Sequence, residues 1–333
     1  MNLIKFINYF LKKIILIFLI IISFLPIKLC LVDFGRIGGT YVFFKYFNDT
    51  KIKNRKFNYF IIFLPTVHTS HYNKEWLIFF RKFFFILPIW RYWILFRTLS
   101  ENNYLTKDLF IKFTYMDMTH KKKIIFKDFK SKNIFRFFFS SKLFNQPNSF
   151  LLNKKQAIKA KRILNQNNIN HKYVCFHNRD DSYLNSVQNN LNYHSFRNSN
   201  IQSFLKSVDY MTSQGYDAIR MGHTVANKIE TSNKNIFDYP SSNFRSDFMD
   251  MYIVENCKFF ICTETGISIF PEFLKKPIVY TNWPSLTALP VFAVNSIFIP
   301  KKIFSTQNNR FLNLEDYKKL RLEKNYFDDY FKK

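Results

Sequence analysis

Strand-like and helix-like segments alternate along the second half of the chain, and this alternation constrains the fold more than any other feature of the sequence. The predicted strands are residues 172–176, 216–221, 258–262 and 278–280, and the predicted helices are residues 152–164, 201–214, 247–256, 267–274 and 314–324. Strands joined through helices form parallel sheets with right-handed crossovers. Such sheets bind ligands beyond the carboxyl ends of their strands, so we expect functional side chains there.

The first half is rich in aromatic residues, which mask any periodicity, and it gives a coarser α/β prediction. Strands are expected at residues 29–34 and 57–64, the second ended by Pro65. Asn73 is expected to cap a helix over residues 74–85. The remaining predicted features are a Gly-rich turn at residues 35–39, helices over 40–47 and 90–99, an ambiguous basic stretch at 107–139, and a linker at 145–149.

The first thirty residues contain an apolar segment whose length leaves its role open. Residues 14–27 are apolar apart from Ser23 and Pro26, and lysines lie on both sides of them. A helix of that length covers about 21 Å, short of the ~30 Å hydrocarbon core of a bilayer. No A-x-A cleavage site follows it. Three alternatives remain: an uncleaved signal-anchor, a helix lying in the membrane interface, and a hydrophobic first helix packed on the protein.

The charge of the chain favours an anionic surface as a partner. The formal net charge is +27, and residues 1–150 carry 25 Lys and Arg against 7 Asp and Glu. Nucleic-acid-binding modules usually show a recognisable motif, and neither zinc-finger spacing nor an RNP signature is present. A membrane surface is therefore the preferred partner over nucleic acid. The four cysteines show no paired or metal-type spacing, so no metal site is predicted.

Two predicted strands are followed by residues suited to binding an anion. Arg179 comes just after residues 172–176, where its planar guanidinium could hold a phosphate, and His177 lies beside it. Arg220 and Gly222 lie at the end of residues 216–221, where the glycine permits a positive φ or the close approach of a ligand. A surface ion pair of Arg179 with Asp180 or Asp181 and a simple strand-to-loop glycine are the structural alternatives.

Two predicted helix starts are further candidates. Thr263, Glu264, Thr265 and Gly266 connect a strand directly to a helix, a place where hydroxyls and free N–H groups form an anion site. Arg245, Ser246 and Asp247 open the preceding helix. Ser246 or Asp247 could simply be its N-cap, and an anion nearby would offset the unfavourable charge of Arg245 at that end.

Common catalytic signatures are missing from the sequence. It contains no G-x-G-x-x-G, Walker lysine loop, G-x-S-x-G or H-E-x-x-H, which argues against dehydrogenases, P-loop NTPases and α/β-hydrolases. It also lacks the D-x-D pair of many metal-dependent sugar-nucleotide transferases.

The second half resembles a family of bacterial glycosyltransferases found among surface-polysaccharide genes. The matching stretches, in order, are residues 173–183 (YVCFHNRDDSY), 193–198 (YHSFRN), 219–222 (IRMG), 244–252 (FRSDFMDMY), 256–268 (NCKFFICTETGIS), 279–282 (VYTN) and 299–302 (IPKK). The first half matches through Arg36, Ile37 and Gly38, where the family usually has His at the next position and this chain has Gly39.

The resemblance implies an α/β fold of the GT-B type, with two Rossmann-like domains facing a cleft and the donor held by the second. The His-x-Arg-Asp segment is similar to the His-x-Arg motif of fucosyltransferases, which makes Arg179 the diphosphate clamp and His177 its neighbour. The turn at residues 263–266 would then hold phosphate or ribose, and Arg245 would add positive charge. Arg36 and Gly38 are implied cleft or acceptor residues.

An inverting reaction would also need a base near the acceptor hydroxyl, and Asp181, Glu264 and Asp33 are the candidates. The expected domains are a membrane-associating segment over residues 1–28, an acceptor domain over 29–148 and a nucleotide-sugar-binding domain over 149–333. The predicted function is glycosyl transfer from a nucleotide-diphosphate sugar to a glycan acceptor, which could be lipid-linked, without metal or cofactor, at the cytoplasmic face of the inner membrane. The alternatives are a non-catalytic carbohydrate- or nucleotide-binding protein with a degenerate GT-B fold, and a nucleic-acid-binding protein.

Overall fold

A parallel β-sheet lies in each of the two units into which the chain divides, Met1–Asn145 and Gln146–Lys333. The computed structural model describes residues 3–34, 37–38, 40, 60–66, 72–87, 99, 102–106, 109–111, 149–150, 152–187, 192–284 and 295–316. The predicted helices over residues 40–47 and 90–99, the basic stretch at 107–139 and the end of the helix predicted over 314–324 fall mostly outside these residues.

The sheet of the first unit has three described strands: β1 (Ile27–Asp33), β2 (Phe60–Thr66) and β3 (Phe110–Ile111). Their order is β2-β1-β3, and both pairings are parallel. The prediction that Pro65 ends its strand is wrong, because Pro65 continues in register opposite Val32. Among the described strands β2 is at the edge of the sheet, where the missing N–H of a proline is tolerated.

Two helices accompany this sheet. Helix α1 (Leu3–Ser23) precedes β1, and helix α2 (Lys74–Arg81) follows β2. The predicted cap is confirmed, since Asn73 Oδ1 accepts a hydrogen bond of 2.9 Å from the backbone N–H of Trp76. The apolar face of α2 buries Trp76, Phe79 and Phe80, whose rings contact one another.

The apolar N-terminal segment divides into a helix and a strand. The strand begins at Ile27, so the last two residues of the predicted segment 1–28 belong to the sheet. Leu19 and Ile22 of α1 pack with Leu29, Ile62, Leu64 and Leu109. Within the part of the chain that is described, no helix combines the length and the apolar character that crossing a membrane requires.

The sheet of the second unit is parallel, as the alternating pattern predicted, but it has six strands where four were predicted. They are β4 (Tyr173–His177), β5 (Asp217–Arg220), β6 (Ile236–Asp238), β7 (Phe260–Cys262), β8 (Ile278–Trp283) and β9 (Ile297–Pro300). Their order is β6-β5-β4-β7-β8-β9. Because the chain turns from one side of β4 to the other, the boundary between β4 and β7 is the switch point of a doubly wound sheet.

The helices of this unit are α3 (Lys154–Gln166), α4 (Ser182–Val187), α5 (Leu205–Ser213), α6 (Asp247–Asn256) and α7 (Ile269–Phe273). Two of them, α3 and α6, lie close to their predicted bounds, α4 was not predicted, and the helix predicted over residues 201–214 begins as a 3-10 turn over Ile201–Phe204. Gly215 has φ +78 after α5, the left-handed conformation in which many helices end. The helix predicted over residues 267–274 is instead a 3-10 turn followed by the five-residue α7. A short antiparallel pair, β10 (Phe304–Ser305) and β11 (Arg310–Phe311), follows the sheet.

Alternate residues of β4 enter two different layers of the core. Val174 and Phe176 pack with Phe204 and Val208, at the start and within α5. The neighbouring residue Tyr173 instead donates a 3.0 Å hydrogen bond from its hydroxyl to the carbonyl of Ile253 in α6. Helices therefore cover both faces of the sheet, as a buried parallel sheet requires. This leaves the carboxyl ends of the strands as the place where polar residues gather.

Candidate functional site

Charged and polar side chains meet at the switch point, where β4 and β7 end. Arg179, Asp181 and Glu264, predicted from the sequence, lie there with Arg197 and Asn198. We call the set His177, Arg179, Asp181, Arg197, Asn198, Thr263, Glu264, Thr265 and Lys301 the switch-point cluster. It joins the loop after β4, the turn after β7, the 3-10 segment Asn192–Arg197 and the residue that follows β9.

His177 connects the ends of three strands. Its Nδ1 lies 2.7 Å from the carbonyl oxygen of Met221 and its Nε2 lies 3.2 Å from Thr265 Oγ1. Burial lowers the pKa of His177 to about 4, so the ring is neutral at neutral pH. Because a carbonyl only accepts, Nδ1 carries the proton and Nε2 accepts from the Thr265 hydroxyl. His177 therefore orients Thr265 rather than presenting a donor of its own.

Arg179 is held at both its backbone and its side chain. Its backbone N–H donates to Thr263 Oγ1 at 2.9 Å, and its Nη1 donates to Asp181 Oδ1 at 3.2 Å and to Asn198 Oδ1. The Asn198 amide in turn donates to the other carboxylate oxygen of Asp181. Burial and the nearby Arg197 cation lower the pKa of Arg179, although a guanidinium remains charged. The ion pair with Asp181, the structural alternative named for Arg179, is present.

Arg197 and Lys301 are the cations that the sequence reasoning missed. Arg197 donates from Nη2 to the backbone carbonyl of Glu264 at 2.9 Å and pairs through Nε with its carboxylate at 3.3 Å. Lys301 donates to the carbonyls of Phe196 and Asn198 at 2.8 and 3.1 Å. Both residues lie in stretches that carry the family resemblance, which was the available signal. Their chemistry depends on a fold that brings residues 197, 264 and 301 together.

Glu264 is the more enclosed of the two carboxylates in the switch-point cluster. Burial raises its pKa, while the charges of Arg197 and Arg179 act in the opposite direction. A carboxylate with a raised pKa is a stronger base than an exposed one. Asp181 instead bridges Arg179 and Asn198. Of the two base candidates in the switch-point cluster, Glu264 has the environment that suits proton transfer better.

The turn at residues 263–266 differs from the expected anion site at a helix start. The Thr263 hydroxyl is fully buried and accepts from Arg179, and the Thr265 hydroxyl bonds His177. Gly266 starts a 3-10 turn, and the α-helix after it has only five residues, so its dipole is small. The prediction of an anion site based on the helix dipole is therefore not supported for this turn. Its threonines instead fix the geometry of His177 and Arg179.

Arg220 and Gly222 have structural explanations. Arg220 is fully buried, donates to the carbonyl of Asn227 at 2.6 Å and pairs with Asp238 at 3.2 Å. Gly222 has φ +152, and a Cβ there would lie 3.2 Å from both Pro240 Cγ and Val225 Cγ1. The close approach that Gly222 permits is therefore to the protein itself. We correct the prediction that Arg220 contacts the donor, because its guanidinium lies inside the protein.

Arg245, Ser246 and Asp247 form a separate polar group at the start of α6. Ser246 is the N-cap, its hydroxyl accepting from the backbone N–H of Met249 at 3.4 Å. Arg245 pairs with Asp250 at 2.7 Å and with Asp247 at 3.3 Å. Carboxylates of the chain, rather than an external anion, therefore offset its charge at the helix start, and the structure gives no support to a donor-binding role for this group. Burial raises the pKa of Asp250 to about 7, and the Tyr239 hydroxyl donates to it.

The candidates from the first half stay predictions. Asp33 is the last residue of β1, and Gly38 lies in a short helical segment, whereas Arg36 and Gly39 fall outside the described residues. Among the residues that the structure describes, no group of three or more His, Cys, Asp or Glu side chains is arranged to hold a metal ion.

The switch-point cluster has the side chains to bind an anion with at least two negatively charged oxygens, such as a phosphate. Arg179 and Arg197 are adjacent, each with its side chain largely but not fully enclosed, at 8% and 19% exposure. Their partners Asp181 and Glu264 are more open, at 24% and 20%. A phosphate could compete with these carboxylates for the guanidinium groups, since Arg binds both with the same planar fork of donors. Chemically the arrangement suits an anionic leaving group beside a carboxylate base.

Comparisons with known proteins give similarities of fold at low identity. No family model and no curated protein sequence matches the chain. Similar solved structures include a glycosyl transferase family 9 protein from Veillonella parvula DSM 2008, with a TM-score of 0.48, 11% identity and coverage of 85% of this chain and 92% of that one. The ADP-heptose heptosyltransferase II of E. coli gives a TM-score of 0.46 at 9% identity, with coverage of 84% of this chain and 92% of that one.

The iron-containing dodecameric glycosyltransferase TibC of enterotoxigenic E. coli H10407 gives a TM-score of 0.37 at 11% identity, with coverage of 88% of this chain and 70% of that one. All three TM-scores are below 0.5. The resemblance to surface-polysaccharide glycosyltransferases therefore stays a prediction from the sequence.

Proposed function

We propose that the chain is a GT-B glycosyltransferase that transfers a sugar from a nucleotide-diphosphate donor to a glycan acceptor. One observation carries the proposal: Arg179 and Arg197 belong to one cluster at the switch point of a doubly wound parallel sheet, Arg179 bonding Asn198 and Arg197 bonding Glu264. Such sheets bind nucleotides at that place. The motif resemblance assigns the diphosphate to Arg179 independently of the sheet order.

In the proposed reaction, the nucleoside diphosphate leaves as the bond to the sugar breaks. Arg179 and Arg197 would stabilise the negative charge that develops on it, a contribution that is often the largest in catalysis. His177 and Thr265 act as positioning residues, because His177 Nε2 fixes the direction of the Thr265 hydroxyl. Glu264 or Asp181 would accept the proton of the acceptor hydroxyl. Metal independence belongs to the proposal and rests on the missing D-x-D pair.

The acceptor and the place of action are further parts of the proposal. A glycan acceptor, which could be lipid-linked, and work at the cytoplasmic face of the inner membrane agree with the excess of Lys and Arg in residues 1–150. The whole would act in cell-envelope polysaccharide assembly, as the family resemblance implies.

Thermal stability in the presence of ADP, GDP, UDP, CDP and dTDP tests the donor site. A nucleotide at 100 times its dissociation constant adds about 2.7 kcal/mol to the stability of the wild type. We expect one of them to stabilise the wild type and not Arg179→Ala. The matched control is Arg162→Ala, which removes an exposed arginine of α3 and should respond as the wild type does. If no nucleotide stabilises the wild type, the proposed donor site is wrong.

A non-catalytic binding protein is the second candidate, and one observation favours it. Both cluster arginines are already paired with carboxylates of the chain, Arg179 with Asp181 and Arg197 with Glu264. Turnover separates the two functions. A protein that binds the diphosphate but neither transfers the sugar nor hydrolyses the donor, with and without added Mg²⁺, would be the binding protein. For the enzyme, Glu264→Gln should lower kcat without weakening donor binding, because the carboxylate competes with the donor phosphate for Arg197.

A further inference from the structure

Helix α1 has one buried face and one exposed face, and this difference indicates the role of the N-terminal segment. Leu19 is fully buried and Ile22 nearly so, both within the cluster formed with β1 and β2. These two contacts fix the rotation of the helix about its axis. The part of the helix from Ile15 to Ile22 is therefore packed on the first unit as part of its fold, whereas residues 9–14 are exposed.

The opposite face of α1 is apolar and exposed. Phe10, Ile14, Ile17, Phe18 and Ile21 are between 47% and 58% exposed. Their spacing places them along one stripe of a helix, on the side away from Leu19 and Ile22. The stripe continues past the helix end, where Phe24 is 75% exposed. Contiguous exposed apolar surface of this kind marks a site of interaction.

The charges around this stripe are all positive. Lys12 and Lys13 of α1 are exposed, and Lys13 Nζ lies 4.9 Å from the centre of the Tyr9 ring. No Asp or Glu precedes Asp33, whereas Lys5, Lys12, Lys13 and Lys28 do. An apolar face with Lys13 and the Tyr9 ring toward one border, and with Lys12 on the far side of the helix, is complementary to the boundary between anionic head groups and acyl chains.

We propose that α1 lies in the plane of the membrane interface, binding an anionic phospholipid surface through its outward stripe while its inner face stays packed on β1 and β2. The inference rests on the membrane-surface part of the proposed function and selects one of the three alternatives that the sequence left open. Deleting residues 1–28 is not a suitable test of this proposal. That deletion would uncover Leu29 and Leu64 and shorten β1.

Flotation of the full-length protein with vesicles tests the surface. Vesicles of phosphatidylcholine mixed with phosphatidylglycerol should bind it, and vesicles of phosphatidylcholine alone should bind it more weakly. Phe18→Gln with Ile21→Gln should weaken binding by about tenfold or more. Lys12→Gln with Lys13→Gln should weaken binding to the anionic vesicles by about tenfold. The control, Ile158→Gln with Tyr210→Gln, removes two equally exposed apolar residues of the second unit and should leave binding unchanged.

The depth of two positions on α1 tests the in-plane orientation. Ile14→Cys and Ile21→Cys, each carrying an environment-sensitive label, are expected to report the same shallow depth. The four native cysteines are all buried and should not react. Depths that differ by about 10 Å, the rise of seven helical residues, would show a crossing helix and overturn the proposal.

Two further results would also overturn it. One is equal vesicle binding by the wild type and the Phe18→Gln, Ile21→Gln variant. The other is lipid-free self-association that depends on protein concentration and disappears in that variant, which would assign the stripe to a second copy of the chain. Nucleotide-dependent stabilisation is measured on the same samples. A wild type that binds nucleotide but not vesicles would refute this inference and leave the proposed reaction standing.

Discussion

Arg220 and Arg179 follow neighbouring strands of one sheet, yet the structure uses them in different ways. Arg220 is the last residue of β5 and pairs in register with Phe176 on one side and Asp238 on the other. Flanked by two strands, its guanidinium is fully buried. Arg179 lies two residues beyond the end of β4, in a loop, and reaches Asp181 and Asn198 at the switch point.

The role of an arginine near a strand end therefore depends on how far it lies beyond the last residue that pairs in the sheet. Within the ladder it is enclosed by neighbouring strands and must find partners inside the protein, as Arg220 does with Asp238 and Asn227. Beyond the ladder it can reach the edge of the sheet where ligands bind. The predictions below test that division.

The largest expected effect is on stability, when the buried arginine is replaced. Arg220→Leu should destabilise the protein by about 3–5 kcal/mol, because it leaves Asp238 and the carbonyl of Asn227 without their cation. Arg179→Leu should cost less, since its partner Asp181 is more accessible to water. Thermal unfolding of both variants measures the difference. Equal losses would remove the distinction between the two arginines.

The pH dependence of stability tests whether His177 is buried and neutral. Its folded pKa of about 4 is lower than its ordinary value of 6.5, so its contribution is present above pH 6.5 and is lost as the pH falls toward 4. Within that window the unfolded chain binds this proton first, so His177 contributes a downward slope of up to about 1.4 kcal/mol per pH unit, whereas Asp250, with a folded pKa of about 7, acts in the opposite direction. His177→Gln should flatten this slope. An unchanged slope would mean that His177 is not the titrating group.

Gly222 lies between the two regions, after β5 and against the His177 ring. Gly222→Ala should destabilise by about 2 kcal/mol, because its φ is +152 and the new Cβ would crowd Pro240 and Val225. Gly215→Ala is the matched control. Gly215 also has a positive φ, but its Cβ would meet only Lys172 Nζ at 4.0 Å, so about 1 kcal/mol is expected. Denaturation midpoints that rank the two variants in the opposite order would contradict the packing described for Gly222.

The smallest effect is expected at the start of α6. Ser246→Ala should cost about 1 kcal/mol through the lost cap to Met249, with no effect on nucleotide affinity. Ser246→Asp keeps an acceptor at the cap and should restore most of the stability. A loss of nucleotide affinity in Ser246→Ala would instead return this group of residues to the donor site.

The sequence predicted the strands that form a buried apolar run and missed the edge strands that do not. The alternation after residue 150 located β4, β5, β7 and β8, but β6 and β9 escaped notice. β6 has only three residues and follows a loop without a helix, and the edge strand β9 has largely exposed residues, so neither shows a buried run. Their pairing is decided by the sheet they join.

The candidate site divides in the same way. Arg179, Asp181 and Glu264 could be predicted because each directly follows a strand. Arg197 and Lys301 were missed although both lie in stretches that carry the family resemblance, because each acts through backbone carbonyls brought close by folding, those of Glu264, Phe196 and Asn198. Arg220 and Arg245 were predicted from charge alone, and the carboxylates that neutralise them lie on β6 and α6. The residue types identified the candidates for anion binding. Only the contacts in the structure separated the cations with a structural role from those that could contact a ligand.

The affinity for a nucleoside diphosphate in Arg179→Ala and Arg245→Ala tests the central claim most directly. Titration calorimetry with the nucleotide that stabilises the wild type gives both dissociation constants. The account predicts that Arg179→Ala binds about tenfold more weakly or worse, the loss of a hydrogen bond to a charged group, while Arg245→Ala binds as the wild type does. Unchanged affinity in Arg179→Ala together with lost affinity in Arg245→Ala would contradict a donor site at the switch point.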